Sequence, residues 1–458
     1  MSTGSFFATA ATLPGRFMRS LVGKIIILGF IILLLMIPYF MAVGLRRDRM
    51  NRSRNAEREV SEKWGGNQLI AAPVLAISVQ SVRKVKRNGN AGQEEYTYST
   101  WYVLPENLSV ESSIVPEIRF RGIYQVMLYK AKVRIKAQFA DLPGSLPGNW
   151  QIHEAGKTEL LFRLSDVKGI QKLEGKIDGK VVKPLAGKVI TFPAAWKKGV
   201  KTLEFSAELD LNGCRKLLFL PIGKNFSLSM DSPWPHPSFS GGFLPRERKI
   251  SEKGFHAEWT VSELNSSFPQ NWIGDLNTFL PVDNDYMSGS KALGVSLVQP
   301  AGVYQQVERV SDYAFLLIAI VLVAFLIGES VTKIWIHPIQ YFFAGLALVM
   351  FYVLLLALAE HMPFNLSYLV STLVISGMTM LYCRMIFAEK RSAAVLLGGV
   401  MLLAYLLIFV LIRLEDYALL AGSGVLLVLL GVLMRVTGNM NSREIAEAQD
   451  SLPGPEGK

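Results

Sequence analysis

Residues 338–359 read PIQYFFAGLALVMFYVLLLALA and contain no charged side chain. A helix needs about 20 mostly apolar residues to cross the hydrocarbon core of a bilayer, where an open backbone finds no water to bind. The run therefore predicts a membrane-spanning helix. The whole chain has the same character, because 50% of its 458 residues are hydrophobic and only 19% are charged, against roughly 25% in an average soluble protein. This composition excludes an ordinary soluble globule and a disordered chain.

Five other runs satisfy the same criteria, so we predict six transmembrane helices. They are approximately Ile25–Val43, Tyr313–Gly328, Pro338–Ala359, Phe364–Tyr382, Ala393–Ile412 and Tyr417–Met434. The first run is longer than the roughly 7–15 apolar residues of a signal-peptide core, and we interpret it as an uncleaved anchor.

These helices divide the chain into five parts. We predict an N-terminus over residues 1–24, the first helix over 25–43, a large polar domain over 46–312, a bundle of five helices over 313–434 and a tail over 435–458. The polar, proline-containing composition of the tail predicts disorder.

Positive charges give conflicting indications of membrane orientation. Six arginines follow the first helix between residues 46 and 58, which by themselves would place the polar domain in the cytoplasm. The short loops of the C-terminal bundle indicate the reverse, since one set contains Lys333, Arg384, Lys390 and Arg391 and the other only Arg413. The positive-inside rule applies to short loops, and long domains are translocated largely regardless of charge. We therefore predict a multi-pass protein of the bacterial inner membrane, with both termini cytoplasmic and the polar domain in the periplasm.

The polar domain, which lies between helices 1 and 2, has the two-residue period of β-strands. Residues 132–139 read KVRIKAQF and alternate cleanly, and Asp178-Gly179 marks a tight hairpin. A second hairpin has the basic tip Arg83–Arg87 followed by Asn88-Gly89. A short charged helix over 49–64 continues from the first span. Because no crossover helices are available for parallel strands, we predict a large all-β, sandwich-like, antiparallel extracytoplasmic domain, in one sandwich or two stacked lobes.

Motifs for metal or phosphate chemistry are missing from the sequence. No two of the five histidines have the spacing of a metalloprotease helix, and no Gly-x-Ser-x-Gly or phosphate-binding glycine loop occurs. Cys214 and Cys383 are too few for a disulfide framework or a four-cysteine zinc site. We predict no metal, no cofactor and no catalytic residue. The net charge of +11 is explained by basic loop flanks of a membrane protein, and nucleic acid is not a predicted partner.

The most unusual segment, residues 231–245, reads DSPWPHPSFSGGFLP. Its four prolines remove backbone donors, and Trp234, Phe239 and Phe243 are too apolar for a free linker. One interpretation is an aromatic plug that closes one end of the sandwich. The other makes His236 a ligand contact, or a general base near Asp231 or Glu258. We favour the plug, because proton transfer depends on a geometry that a sequence does not contain.

In the membrane part, ionisable groups such as Glu329, His337, Glu360 and His361 all fall at helix ends or in loops. Ion-coupled transporters usually keep such groups inside the bundle. The bundle is therefore interpreted as an anchor or signalling module and not as a conduit.

Two segments together resemble the CreD family of bacterial inner-membrane proteins. The first is Trp-Pro-His-Pro-Ser-Phe followed by Gly-Phe-Leu-Pro within residues 232–245, and the second is residues 337–361, which begin His-Pro-Ile-Gln-Tyr. The order of one span, a large domain and a C-terminal bundle also resembles the family. The motif positions, whose roles are unknown, are Trp234, His236, Pro237, Phe239, Phe243, His337, Pro338, Gln340, Glu360 and His361.

The resemblance implies an inner-membrane protein tied to cell-envelope integrity. It also implies a regulatory link to a Cre-type sensor kinase and response regulator, and a response to cell-wall stress, including β-lactam exposure. The family contributes no catalytic residue and no cofactor.

We therefore predict a non-enzymatic envelope protein whose periplasmic β-domain binds an unknown partner or envelope component. Membrane lipid, a Cre-type two-component system and envelope proteins are the expected partners. The five clustered spans leave a transporter or channel as an alternative, and His236 leaves a membrane-tethered envelope hydrolase. The basic tip Arg83–Arg87 is either a solvated hairpin end or a contact for anionic lipid or wall polymer, worth about 1 kcal/mol per basic residue near a charged membrane.

Overall fold

The computed structural model has two compact units. The helical unit comprises Met1–Arg52 and Ala301–Lys458, and the sheet unit comprises Ser53–Pro300. The residues described are 21–435, apart from 86–92, 141–145, 147, 154–155, 188, 195–201, 267, 281–290, 300–301, 389, 415–416, 418–419, 429 and 432–433. Residues 86–89 of the predicted basic hairpin, the first residues of the N-terminus and nearly all of the predicted tail lie outside them.

The helical unit contains long apolar helices. The helices are α1 (Leu21–Trp64), α2 (Val303–Asp312), α3 (Ala314–Thr332), α4 (Pro338–Ala359), α5 (Phe364–Ile386) and α6 (Arg391–Arg413). Among the described residues, four helices are long and apolar enough to cross a membrane, or five if α2 and α3, which meet at a 45° bend, form one span. The sixth predicted span stays a prediction: parts of it are not described, and residues 420–428 are helical.

Aromatic side chains fill the centre of the helical unit. The ring of Phe351 on α4 packs against Tyr352, Tyr368 on α5 and Tyr405 on α6, with ring centroids 4.6–5.5 Å apart. The Tyr368 hydroxyl donates to the Tyr405 carbonyl at 2.7 Å, which satisfies one polar group away from water. Three helices thus meet around one phenylalanine.

Two sheets build the sheet unit. Its strands are β1 (Gln68–Val85), β2 (Gln93–Val103), β3 (Asn107–Arg121), β4 (Tyr124–Phe139), β5 (Trp150–Ile152), β6 (Thr158–Leu164), β7 (Ile170–Ile177), β8 (Lys180–Val182), β9 (Ile190–Pro193), β10 (Leu203–Cys214), β11 (Lys216–Phe219), β12 (Asn225–Ser232), β13 (Pro237–Gly241), β14 (Glu247–Ser251), β15 (Gly254–Ser262), β16 (Asn271–Ile273) and β17 (Leu293–Leu297). In the described part of the chain, a nine-stranded sheet has the order β13-β17-β11-β1-β2-β16, with β5 and β6 also on β1 and β9 on β6. An eight-stranded sheet has the order β14-β15-β12-β3-β4-β10-β7-β8.

Both sheets contribute to a single apolar core, as in a sandwich. Alternate residues of β4, such as Val133 and Ile135, are buried together with Trp101 of β2, Phe162 of β6 and Phe192 of β9. One face of β4 is therefore dry and the other wet, as the two-residue period predicts. The core is continuous, which favours one sandwich over two stacked lobes.

The prediction of purely antiparallel sheets was wrong at two places. β1 pairs with β11 in parallel from Gln68 to Ile70, and β12 pairs with β3 in parallel along its length. A parallel pair requires only a connection long enough to return to the starting end. Here the intervening strands of the two sheets make that return, so no crossover helix is needed. The sheets are mixed.

The Asp178-Gly179 hairpin is confirmed. It joins β7 to β8, and its two residues have positive φ angles of 49° and 78°. Such angles match the twist of the flanking strands, and Asp and Gly adopt them at little cost.

The end of α1 packs on the eight-stranded sheet, which confirms the helix predicted over residues 49–64. Val60 and Trp64 contact a small cluster of Val126, Leu128 and Cys214. The Arg119 guanidinium lies 3.9 Å from the centre of the Trp64 ring, a cation–π contact.

Candidate functional site

The Trp-Pro-His-Pro segment carries the chain from one sheet to the other. β12 ends at Ser232 in the eight-stranded sheet, and β13 begins at Pro237 in the nine-stranded sheet, opposite Leu297 of β17. The Trp234 Nε1 donates to the Val298 carbonyl at 3.0 Å, and the Val298 amide donates to the His236 carbonyl at 3.2 Å. Prolines are tolerated because the segment lies between strands, where their missing N–H groups are not needed.

Aromatic rings cover this corner of the core. Phe239 packs edge-on against Phe255 and Trp259, at centroid distances of 5.9 and 5.6 Å. The Trp259 indole, which is buried, donates to the Phe243 carbonyl at 3.1 Å. The segment thus has the packed aromatic arrangement that the plug interpretation describes.

Gly241 ends β13 where no other residue fits. Its φ angle is 110°, and a Cβ atom there would overlap the Ala292 carbonyl oxygen. The close approach of these two backbones explains the glycine.

The structure does not place His236 beside the predicted carboxylates. His236 is exposed, and both Asp231 and Glu258 bind a different histidine, His256 of β15. The His256 Nδ1 lies 2.7 Å from Asp231 Oδ1, and its Nε2 lies 3.1 Å from Glu258 Oε1. The two carboxylates that the less favoured interpretation of His236 as a base would use are thus engaged by His256.

Strand register explains why the carboxylates meet His256. Asp231 of β12 and His256 of β15 are directly opposite each other, and Glu258 is two residues further on the same face. Alternation in residues 254–262 puts His256 and Glu258 on one face, but their partner strand follows only from the sheet order.

This arrangement favours the protonated form of His256, in which both ring nitrogens donate to carboxylates. Hydrogen bonding to Asp231, and to a lesser extent to Glu258, raises the pKa of the imidazole above its usual value. Both carboxylates stabilise the imidazolium form. A general base must accept a proton from a reacting group, and here each ring nitrogen already faces a carboxylate.

An open groove of about 590 Å³ crosses the outer face of the eight-stranded sheet. We call it the serine groove; its polar lining is Asn107, Ser109, Lys136, Gln138, Lys176, Glu204, Ser206, Asn225, Ser227 and Thr260. Sequence alternation predicts that these residues face solvent, but only the strand order brings them together.

The second group of motif residues starts α4. The His337 Nδ1 accepts from the Ile339 amide at 3.4 Å, and Gln340 Oε1 accepts from the His337 amide at 2.9 Å. These reciprocal bonds form a capping box, and Pro338 occupies the first helical turn, where its missing N–H costs nothing.

A buried carboxylate lies beside this cap, and sequence reasoning missed its role. Glu329 is 4% exposed, and its oxygens contact Lys24 Nζ at 2.9 Å, the Tyr341 hydroxyl at 2.6 Å and the Ile336 amide at 3.2 Å. Three donors satisfy a charge that would otherwise be costly to bury. The N-terminal end of α1 is thereby joined to α3 and α4.

Ion pairs also hold the other end of the α1 membrane segment. Arg46 Nη2 lies 3.0 Å from Glu308 of α2, and Arg49 Nε lies 3.6 Å from Glu360, which also accepts from the Tyr304 hydroxyl at 3.1 Å. Lys24 and Arg46 are about six turns apart on α1, or about 33 Å. This span matches the hydrocarbon core of roughly 30 Å. We call the two sets of ion pairs the end clamps.

His361, the last motif residue, is exposed at the end of α4. Its amide donates to the Leu358 carbonyl at 3.0 Å, a turn contact that any residue could make. The structure therefore gives a role to Glu360 and none to the His361 side chain.

The fold and these contacts define a membrane protein with four or five apolar helices and large mixed β-sheets. The chain belongs to the family of the inner membrane protein CreD, whose family model matches residues 20–442. The inner membrane protein CreD of Escherichia coli (strain K12) is 30% identical over 427 residues, which cover 90% of this chain and 91% of that protein. The resemblance predicted from the two motifs is confirmed.

Likeness to solved structures is slight. An M1 zinc metallopeptidase from Deinococcus radiodurans is 8% identical, covers 34% of this chain and 39% of its own, and gives a TM-score of 0.18. Legionella pneumophila aminopeptidase A is 11% identical, covers 48% of this chain and 23% of its own, and gives a TM-score of 0.19. Such scores carry no argument for fold or activity. Within the described ranges, no three His, Cys, Asp or Glu side chains form a group that could hold a metal ion.

Proposed function

We propose that the protein is a non-enzymatic component of the inner membrane that supports cell-envelope integrity or the response to envelope stress. In this proposal the sheet unit is a periplasmic binding module for an envelope component, and the helical unit is its anchor. The observation that carries the anchor role is the pair of end clamps. Lys24–Glu329 at one end and Arg46–Glu308 at the other hold α1 in one position against its neighbours.

Family membership supports the envelope role. The chain aligns with the inner membrane protein CreD of Escherichia coli over nearly the whole length of both proteins. A regulatory link to a Cre-type two-component system rests on this kinship alone. A hydrolase built on His236 is not favoured, because Asp231 and Glu258, its nearest carboxylates in the sequence motif and on the partner strand, contact His256 instead.

A static anchor accounts for the helical unit better than a conduit. Its charged side chains Lys24, Glu329, Arg46 and Glu360 are used in contacts at helix ends. A transporter needs ionisable groups or broken helices at mid-depth that change partners during transport. Phe351 and its tyrosine neighbours occupy the interior instead.

We further propose six spans with both termini in the cytoplasm. Lys390 Nζ donates to the Thr332 carbonyl at 2.7 Å, so the basic loop after α5 lies at the same helix ends as Lys333. The opposite ends carry the Arg413–Asn365 contact at 2.7 Å. The first set holds more Lys and Arg in short loops and is assigned to the cytoplasm. The arginines that follow the membrane segment of α1 then lie on the periplasmic side, where Arg46 and Arg49 form ion pairs of the end clamp.

Reporter fusions test the orientation. Alkaline phosphatase fused after Gly122 or Pro363 should be active, and green fluorescent protein fused after Lys390 should fluoresce. The inverse pattern would contradict the proposed orientation.

Gene deletion tests the function. We expect the deletion strain to lose tolerance to detergent or to wall-directed antibiotics, and the full chain to restore it. The matched variant Arg384→Met, which removes an exposed cation outside the end clamps, should restore it equally. A deletion strain with unchanged growth, shape and tolerance would contradict an envelope role.

A further inference from the structure

The serine groove contains a line of four short hydroxyl side chains and two lysines across six strands. The strand registers place Thr260, Ser227, Ser109, Lys136, Ser206 and Lys176 next to one another in that order. Adjacent strands are about 4.8 Å apart, so the line is about 24 Å long. Because serine side chains are short, the line forms a trough and not a ridge.

A row of amides runs beside this line. Asn225 Nδ2 donates to Asn107 Oδ1 at 3.0 Å, and Asn107 Nδ2 donates to Gln138 Oε1 at 3.2 Å. The chain of amides is ordered in one direction, which leaves the amide nitrogen of Gln138 and the amide oxygen of Asn225 at its two ends. Hydroxyls and amides both donate and accept, so the lining suits a ligand rich in hydroxyl groups.

Two lysines give the groove a positive charge. Lys136 and Lys176 are two strands apart, or about 10 Å. Neither forms an ion pair within the described part of the chain, whereas on the same face Lys172 pairs with Glu174 at 3.0 Å. The only carboxylate among the described lining residues is Glu204. The groove therefore favours a ligand that carries negative groups at intervals.

The geometry argues against other chains of similar charge. A bound peptide strand would have to pair with an open sheet edge, but the groove crosses the face of the sheet near the ends of six strands that each have a partner on both sides. Single-stranded nucleic acid requires exposed aromatic rings for stacking. The nearest rings, Phe205 and Phe226, are buried beneath the groove.

We infer that the serine groove binds an extended acidic glycan, a chain of sugars whose carboxylates contact Lys136 and Lys176. Sugar hydroxyls would bind Ser206, which lies between the two lysines, and Ser109 and Ser227, which lie beyond Lys136. This inference rests on the proposed binding role of the sheet unit and names the class of its ligand. The open, shallow shape predicts weak binding by a single short chain and stronger binding by a longer one.

Direct binding tests the inference. Purified full-length protein in detergent is titrated with fluorescent oligogalacturonate, with its methyl ester, which is uncharged, and with polyglutamate, which is charged but has no sugar. We expect the methyl ester and polyglutamate each to bind at least about tenfold more weakly than oligogalacturonate, since each loses one kind of contact. Raising the salt concentration should weaken oligogalacturonate binding. Equal binding of polyglutamate would overturn the inference, and so would the absence of any oligogalacturonate binding.

Variants locate the site. The double change Lys136→Met and Lys176→Met should weaken oligogalacturonate binding about tenfold or more. The single change Ser206→Leu, which fills the groove between the lysines without altering charge, should do the same. The matched double change Lys132→Met and Lys249→Met removes two cations from the same face outside the groove lining and should leave binding unchanged. Thermal midpoints within about 2 °C of the unmodified protein show that the variants are folded. Equal weakening by both double changes would overturn the assignment to the groove.

The two proposals fail in different ways. Normal tolerance in a deletion strain would remove the envelope role and leave glycan binding by the purified protein intact. The groove variants could also lose glycan binding and still restore full tolerance to the deletion strain. That result would support both the glycan site and the envelope role, and would show that the envelope role does not depend on glycan binding.

Discussion

Asp231 lies directly opposite His256 in the β12–β15 pair, and its Oδ1 is 2.7 Å from the imidazole Nδ1. Glu258 Oε1 approaches the other ring nitrogen at 3.1 Å. A histidine held by two carboxylates is a positively charged cross-link between neighbouring strands at low pH and a neutral one at high pH.

The change Asp231→Asn should lower the pKa of His256, because the hydrogen bond to Asp231 is the largest cause of its elevation. The imidazole C–H signal of His256 in NMR gives the titration midpoint, which should lie above about 6.5 in the unmodified protein. Glu258→Gln should produce a smaller decrease. A midpoint unaffected by Asp231→Asn would refute the assignment.

Stability should depend on pH through the same group. Since the folded pKa of His256 is raised, the imidazolium contributes stability below the unfolded value of about 6.5, and this contribution disappears as pH rises through the folded pKa. Replacing His256 by Gln should therefore lower the thermal midpoint more at pH 5.5 than at pH 8.5. Equal decreases at both values would count against the cross-link. His236→Gln, an exposed histidine outside it, is the control.

The change Lys24→Met should destabilise the helical unit, because it leaves the charge of buried Glu329 without its cation. The cost of breaking such a pair is about 3 kcal/mol. Thermal unfolding in detergent measures it, and the double change Lys24→Met with Glu329→Gln should recover most of the loss. Arg384→Met is the control for removal of a cation. A double variant no more stable than Lys24→Met would contradict a stabilising role for the Lys24–Glu329 ion pair.

The change Gly241→Ala should disrupt the corner between the two sheets. The new methyl group would meet the Ala292 carbonyl in a backbone conformation that alanine rarely adopts, at a cost of about 3 kcal/mol or more. Gly122→Ala is the matched control, because Gly122 also has positive φ but has no atom within 4 Å of the added group. We expect its cost to be about 1 kcal/mol. Equal decreases in thermal midpoint for Gly241→Ala and Gly122→Ala would contradict the close contact between Gly241 and Ala292.

The change Trp234→Phe should remove the hydrogen bond to the Val298 carbonyl and retain most of the ring packing. The expected loss is about 1 kcal/mol, or about 2–4 °C in the thermal midpoint. Trp234→Ala, which also removes the packing, should lose more. Similar losses for the two variants would indicate that the hydrogen bond contributes little.

Local sequence patterns were sufficient to predict the structural features that depend only on residues close together in the chain. The run at Pro338–Ala359 needs only hydropathy to be recognised as a helix, and Asp178-Gly179 needs only the turn preferences of its two residues. The family resemblance likewise follows from two contiguous motifs.

Contacts between distant residues were not accessible in this way. The partner of His256 depends on which strand lies beside β15, and the antiparallel prediction failed because β3 pairs with a strand from much later in the chain. Glu329 was placed correctly at a helix end, but its burial depends on Lys24 and Tyr341 from two other helices. The alternation of polar and apolar residues predicts which face of a strand each side chain lies on, but it does not predict which residue lies opposite on the neighbouring strand.

The two parallel pairs join strands that are synthesised far apart in time. β1 is among the first strands to leave the ribosome, yet Gln68–Ile70 pair with Leu217–Phe219 of β11. Similarly, β3 can pair with β12 only after β12 has been synthesised. Long-range pairing of this kind is slow and leaves strand edges open in the meantime. A nascent chain stopped before Asn225 would therefore present unpaired, apolar edges, and we expect such truncated chains to aggregate or to be degraded.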